Sequence, residues 1–317
     1  MKALRKVHRT RFSWQHDLRR AARTGKVLQF SATSRPRLGI ALGGGFARGL
    51  AHVGVLKALM EAGITVDLVA GTSMGAIIGA CYCSGMSAVE LEALGRMSRF
   101  SDCARWTLSR YGFCSNERIQ HFCTQVLKAR TFEDLKIPLA IVATDFRAGK
   151  GVVFSTGDLA GPMRASCAYP GMFPPVEIDG RWYVDGMFAY PVPTMPLRRM
   201  GAEHVIGVDL GAHWKRRRHP QNMFEVISRC FSIAEARMDG GWKRDADVML
   251  TPDVSDFGYD CFARAGELIA LGENAMRPHL PQVQALLNLP PPSTEPAQSG
   301  VSEPVIIAVE RDASRAA

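Results

Sequence analysis

Between residues 38 and 276 the apolar positions switch period repeatedly. Residues 38–42 form a short continuous apolar run, as expected of a strand covered on both faces. Residues 51–62 place Val53, Leu56, Leu59 and Met60 at helical spacing, and Gly63 follows as a stop. Residues 66–70 predict a second strand, and residues 76–84 a second helix ended by Gly85. Further strands are predicted at 139–144, 151–154, 182–184, 204–210 and 248–250, and further helices at 224–238 and 263–276. Strands alternating with helices specify an α/β domain with a mainly parallel sheet and helices on both faces. Ligands of such sheets gather at the carboxyl ends of the strands, so the loops there are where chemistry is expected.

The two ends of the chain break this pattern. Residues 1–36 are weakly patterned and basic, and residues 289–317 open on a proline-rich run from Pro290. The reading is a flexible basic extension (1–36), one globular body (37–288) and a disordered tail (289–317) with a short strand at 305–309. Residues 1–37 hold three Lys, eight Arg and one acid, Asp17, for a net charge of +10, whereas the whole chain is +9. The body is therefore close to neutral, which argues against a folded nucleic-acid-binding face. A basic arm fits peripheral contact with an anionic membrane, although RNA, an acidic partner, a transit peptide or a plain solvated extension share its composition.

Composition narrows the class further. The chain has 317 residues, 47% of them hydrophobic and 22% charged, enough to build a core without disulfide or metal. No apolar run reaches the ~18 residues of a membrane span, and no secretory apolar core opens the chain. The eight cysteines include no C-x-x-C pair or zinc spacing. They read as reduced thiols, most of them buried, in a cytoplasmic protein that needs no metal.

Two glycine-rich loops follow predicted strands. The first is Gly43-Gly44-Gly45-Phe46-Ala47-Arg48-Gly49, leading into a helix. Its backbone amides suit either a dinucleotide phosphate or the oxyanion of acyl transfer. A strict G-x-G-x-x-G fails, because Phe46 takes the place of the middle glycine. The second loop, Gly71-Thr72-Ser73-Met74-Gly75, is a G-x-S-x-G between a strand and a helix, the context that projects a serine hydroxyl from a sharp turn. Such a hydroxyl needs a base. Of eight histidines, His8 and His16 lie in the extension, His213 and His219 flank a basic run, and His52 lies early in a helix. His279 remains the triad candidate, late in the chain. A carboxylate is the other option. Asp185, leaving the strand at 182–184 before Gly186, is best placed, with Asp145 and Asp209 as competitors that fit turn roles better.

The segment Gly-Gly-Gly-x-Ala-Arg-Gly-x-Ala-His-x-Gly-Val-Leu at 43–56, then Gly71-Thr72-Ser73-Met74-Gly75, then Asp185-Gly186, resembles the patatin-like phospholipase family, and most of all its small bacterial members. The stretch 164–175 and the strand at 204–210 support the likeness, which spans residues 37–276. The resemblance implies a three-layer α/β/α sandwich and a carboxylic ester hydrolase acting on fatty-acyl esters of lipids. It implies a Ser–Asp dyad without a catalytic histidine, with Ser73 as nucleophile and Asp185 as base. Gly44, Gly45 and Phe46 would supply the oxyanion hole; Arg48, Gly49, Gly71, Gly75 and Gly186 would complete the motifs, and no cofactor or metal would be needed. Two positions depart from the family pattern: Phe46 where many members have Gly, and Met187 where Gly or Ala follows Asp-Gly. The latter is expected to narrow the acyl site. The competing readings are a nucleotide-binding oxidoreductase and a catalytically weak regulatory or scaffold member of the same fold.

Overall fold

The computed structural model describes residues 35–289, except 128, 214–218 and 239. The tail with its strand expected at 305–309, and all of the basic extension except its last two residues, lie outside the described residues. Arg35, counted with that extension, is tied to the body, donating to both Asp67 carboxylate oxygens at 2.8 and 3.0 Å and to Thr65 Oγ1 at 2.7 Å.

The strands are β1 (Leu38–Leu42), β2 (Leu68–Thr72), β3 (Arg105–Ser109), β4 (Gly112–Ser115), β5 (Leu139–Asp145), β6 (Lys150–Phe154), β7 (Val176–Ile178), β8 (Arg181–Asp185), β9 (His204–Val208) and β10 (Val248–Leu250). The helices are α1 (Ala51–Glu61), α2 (Met74–Cys83), α3 (Ala88–Met97), α4 (Phe100–Cys103), α5 (Arg118–Gln125), α6 (Ala160–Ser166), α7 (Thr194–Met200), α8 (Met223–Glu235), α9 (Gly241–Asp245), α10 (Ala265–Met276) and α11 (Leu280–Leu286). The central sheet runs β10-β9-β1-β2-β5-β8-β7, with β6 also on β5; β3 and β4 form a separate hairpin. From β10 to β5 every pairing is parallel, while β6, β7 and β8 pair antiparallel.

Side-chain alternation on β1 and β2 creates the three layers. Leu38, Ile40, Leu42 and Val69 join the larger core with α1, α2 and α10, whereas Ala41, Leu68 and Ala70 pack with Leu197 of α7. The second strand begins two residues later than predicted. Asp67 is spent accepting from Leu38 N–H and Arg35, and Gly71 and Thr72, which read as turn residues, are held in the ladder opposite Leu42 and Val142. Sequence also missed the β3–β4 hairpin, whose runs are too short and too polar to declare themselves.

Helices α1 and α10 cross with their backbones nearly touching. A Cβ on Gly54 would stand 1.8 Å from Ile269 O, and one on Gly272 would stand 1.8 Å from Ala51 O. Gly54→Ala is expected to destabilise the fold by roughly 4 kcal/mol or more, because backbone must move on both helices. Urea unfolding monitored by circular dichroism measures it.

Candidate active site

The register of β5 brings the two ends of the chemistry together. Val142 lies opposite Thr72, the last residue of β2, and the next residue, Ala143, lies opposite Asp185, the last residue of β8. Strand β6 pairs with residues 141–145 of β5, covering its other edge. Strands β2 and β8 therefore share one edge of β5, run toward each other, and meet at their carboxyl ends. Ser73 and Asp185, distant in sequence, arrive at one place.

Ser73 turns the chain from β2 into α2 with φ 55° and ψ −123°, a left-handed conformation costing ~1–3 kcal/mol in a non-glycine residue. Its neighbours let the turn close: a Cβ on Gly75 would lie 2.1 Å from Leu42 O. The Ser73 N–H donates to Ser166 Oγ at 2.8 Å, and Ser166 is fully buried on α6. Sequence analysis gave Ser166 no role. Its only signal was a hydroxyl between positions that bury apolar side chains.

Asp185 is buried as completely. Met187 N–H donates to Asp185 Oδ1 at 3.0 Å, and Thr144 Oγ1 fixes the backbone by donating to Asp185 O at 2.9 Å. Asp185 Oδ2 has no hydrogen-bond partner among the described residues. Burial pushes the carboxyl up to about 7; the Met187 N–H and the nearby Ser73 hydroxyl pull it down by less. The Ser73 contact acts on the carboxyl without reaching hydrogen-bond geometry. A carboxylate in water is too weak a base for a serine, and this environment removes that handicap.

The glycine loop faces the pair. Gly43 N–H donates to Val208 O at 3.1 Å, Gly44 N–H to Pro191 O at a long 3.4 Å, and Ala47 N–H to Tyr259 O at 3.1 Å. The N–H groups of Gly45 and Phe46 meet no acceptor among the described residues. His52 supports the loop from behind: it is wholly buried, its Nε2 lies 2.8 Å from Gly43 O, and burial lowers its pKa to about 4. The neutral ring thus donates to that carbonyl.

Phe46 occupies the left-handed region at φ 50°. Tyr169, Tyr259 and Phe224 hold its ring edge-on at 4.9, 5.5 and 5.7 Å. Aromatic packing here offsets backbone strain that glycine would not feel. Removing the ring costs packing in both Phe46→Ala and Phe46→Gly, but only alanine keeps the strain. The glycine variant should therefore be about 1 kcal/mol more stable than the alanine variant, as thermal melts will show.

Gly43, Gly44, Gly45, Phe46, Arg48, Ser73, Asp185 and Met187 all line one pocket of about 530 Å³, a space partly open to solvent. Arg48 is buried there with its guanidinium 3.8 Å from the centre of the Tyr259 ring and Nη1 unpaired. Helix α8 contributes Ser232 and Glu235. Of the competing acids, Asp145 is absent from the lining and accepts from the N–H groups of Arg147 and Ala148, a turn role. Asp209 lines the pocket while accepting from Gly211 N–H. No histidine lines the pocket, and His279 lies beside Gln282 on the C-terminal helices. Gly49, Gly71, Gly75 and Gly186 are not among the residues that line the pocket. Among the described residues no three His, Cys, Asp or Glu side chains are grouped to hold a metal ion, and no helix is long and apolar enough to cross a membrane.

Residues 40–198 match the family described as Patatin-like phospholipase. An uncharacterized NTE family protein of Mycobacterium tuberculosis is 36% identical over 196 residues, covering 58% of this chain and 52% of the relative. Patatin-like phospholipase domain-containing protein 6 of Homo sapiens is 36% identical over 186 residues, covering 55% of this chain and 13% of that protein. The chain thus spans about half the length of the mycobacterial relative and a small part of the human one. VipD from Legionella pneumophila superposes with a TM-score of 0.44 at 12% identity, covering 80% of this chain and 68% of VipD.

Proposed function

The chain belongs to the patatin-like phospholipase family, and from that premise we propose that it is a serine acyl hydrolase of lipid esters working through Ser73 and Asp185. The observation that supports the reading is the head-on approach of β2 and β8, which brings Ser73 to a buried Asp185 whose Oδ2 has no hydrogen-bond partner among the described residues.

Asp185 takes the Ser73 proton as Oγ attacks the ester carbonyl. The developing oxyanion is received by the N–H groups of Gly45 and Phe46, each donor worth a few kcal/mol in such sites; the Gly44 N–H, expected to join them, donates to Pro191 O instead, and Gly44 forms the adjoining wall. The buried Arg48 cation adds a favourable field at that end of the pocket. The tetrahedral intermediate collapses, the protonated Asp185 returns its proton to the leaving alcohol, and an acyl-Ser73 ester remains. Asp185 then removes a proton from water, which releases the fatty acid and restores the serine.

The acyl chain fits the apolar wall made by Phe46, Tyr169 and Met187, with Met187 narrowing it. Phospholipids, lysophospholipids and acylglycerols all offer the required ester. The protein's own residues supply every proton transfer, so the reaction calls for no cofactor. We place it in the cytoplasm, where the net +10 of residues 1–37 favours adsorption to an anionic membrane.

A fluorophosphonate probe reacts with an activated serine. Peptide mapping is expected to find the adduct on Ser73. An unlabelled protein, or an adduct on another side chain, overturns the assignment.

A further inference from the structure

Helix α8 carries apolar side chains on two sides. Its buried residues are Ser228 and Ser232, and Tyr169 Oη donates to Ser228 Oγ at 3.0 Å. Phe224 and Phe231 lean on Tyr169 at ring distances of 5.8 and 5.4 Å, while Ser232 and Glu235 line the pocket. The helix thus roofs the site with polar and aromatic groups. Its outward side carries Met223, Val226 and Ile233 at heptad-like spacing, the first two 61% and 50% exposed. Phe224, Ile227 and Phe231 already form a half-buried apolar stripe on the inner side, so the outward side chains are a second apolar stripe that the core does not use.

The β3–β4 hairpin repeats the anomaly next door. Trp106 is 71% exposed, Phe113 is 50% exposed, and Tyr111 is exposed beneath the Arg110 guanidinium, 4.7 Å from the ring centre. Two contacts join the hairpin to α8: Gly112 bridges to Gly171, and Ile227 of α8 reaches the space a Gly171 side chain would take. The hairpin's inner side, through Cys114, packs with Tyr169 in the same cluster as Phe46 and Met187. Six large exposed apolar side chains therefore surround the roof of the pocket, contributed by two elements that are separate in sequence.

We propose that the outer stripe of α8 and the β3–β4 hairpin form a docking face for an anionic lipid bilayer, which sets the pocket mouth on the membrane. The biological sense of the proposal rests on the pocket taking a lipid ester, but the docking itself does not. Trp and Tyr beside Arg is the composition that settles at the headgroup level, where the ring is half in hydrocarbon and the cation meets phosphate. Residues 105–115 contain Arg105 and Arg110 and no acid, so the hairpin's charge complements an anionic surface, while α8 carries Glu225, Glu235 and Arg229 and contributes mainly its apolar stripe. Apolar insertion persists in salt, whereas adsorption through the basic residues 1–37 is screened.

The test uses the full chain carrying Ser73→Ala, so that binding is read without turnover, and phosphatidylcholine vesicles containing phosphatidylglycerol. Flotation is run at high salt. The quadruple change Trp106→Ser, Phe113→Ser, Met223→Gln and Val226→Gln is expected to lower the vesicle-bound to free ratio about tenfold or more. In the chain with Ser73 intact, the same four changes should leave soluble-ester turnover and melting temperature unaltered. Brominated lipid should quench tryptophan fluorescence, and the apolar replacement Trp106→Phe should remove much of the quenching while keeping vesicle binding. Equal binding by parent and quadruple variant, or no binding by the parent at high salt, overturns the proposal. So does a parent that sediments as a dimer and a variant that sediments as a monomer, since a second copy then covers the face. Failure of the fluorophosphonate to label Ser73 would count against the hydrolase alone.

Discussion

Ser73→Ala should lower turnover of a soluble p-nitrophenyl ester by about 10⁴-fold or more while the protein stays folded. The substitution removes one oxygen and nothing that the fold uses: the Ser73 N–H still donates to Ser166, and the elbow keeps its glycine neighbours. Ser73→Gly is the sharper experiment. Glycine accepts φ 55° without the penalty paid by serine, so this variant should be as inactive as alanine yet more stable by about 1 kcal/mol. A destabilised glycine variant would show that the elbow is not strained; an active alanine variant would show that the nucleophile lies elsewhere.

The second large effect belongs to Asp185. Its carboxyl titrates near 7 and must be ionised to accept a proton, so kcat/KM should fall about tenfold per pH unit below that point. Asp185→Asn should be as damaging as Ser73→Ala, and the double variant no worse, because the two act as a unit. Stability should move the other way. Burial favours the neutral carboxyl, so its folded pKa exceeds the ordinary value of 3.8. Above that value the unfolded chain ionises first, and stability drains away until pH passes about 7, where the loss is complete. The asparagine variant escapes this loss. It should be more stable than the parent by ~1–3 kcal/mol at pH 8 and show no such gain at pH 4, by urea titration at the two values.

Both residues of the proposed site carry local signals in the sequence. Ser73 declares itself because a sharp strand-to-helix turn tolerates only small flanks, and Asp185 because a carboxylate ends an apolar strand before glycine. What joins them could not be read. Their meeting depends on β8 entering the sheet antiparallel along the edge that β2 has just left, a pairing that no local pattern encodes. Helix α8 was legible as a helix but not in its orientation. Its apolar residues form two stripes, and the fold turns Phe224, Ile227 and Phe231 inward with Ser228 and Ser232 while Met223, Val226 and Ile233 stay exposed. Periodicity marks an apolar face without telling what covers it. Ser166 escaped notice because its partner is a backbone N–H supplied from another strand end.

The anchoring of the glycine loop carries a consequence for how the protein is made. Its amides are tied to Pro191, Val208 and Tyr259, all synthesised long after Ser73. A ribosome adds Ser73 early and the loop's anchors late, while domains settle from the N-terminus onward. During translation Ser73 is therefore made before the glycine loop beside it can be anchored. A stalled or proteolysed fragment ending before Tyr259 inherits the same defect. On the proposed reading, hydrolytic power arrives only once Tyr259 has been made and packed against the loop.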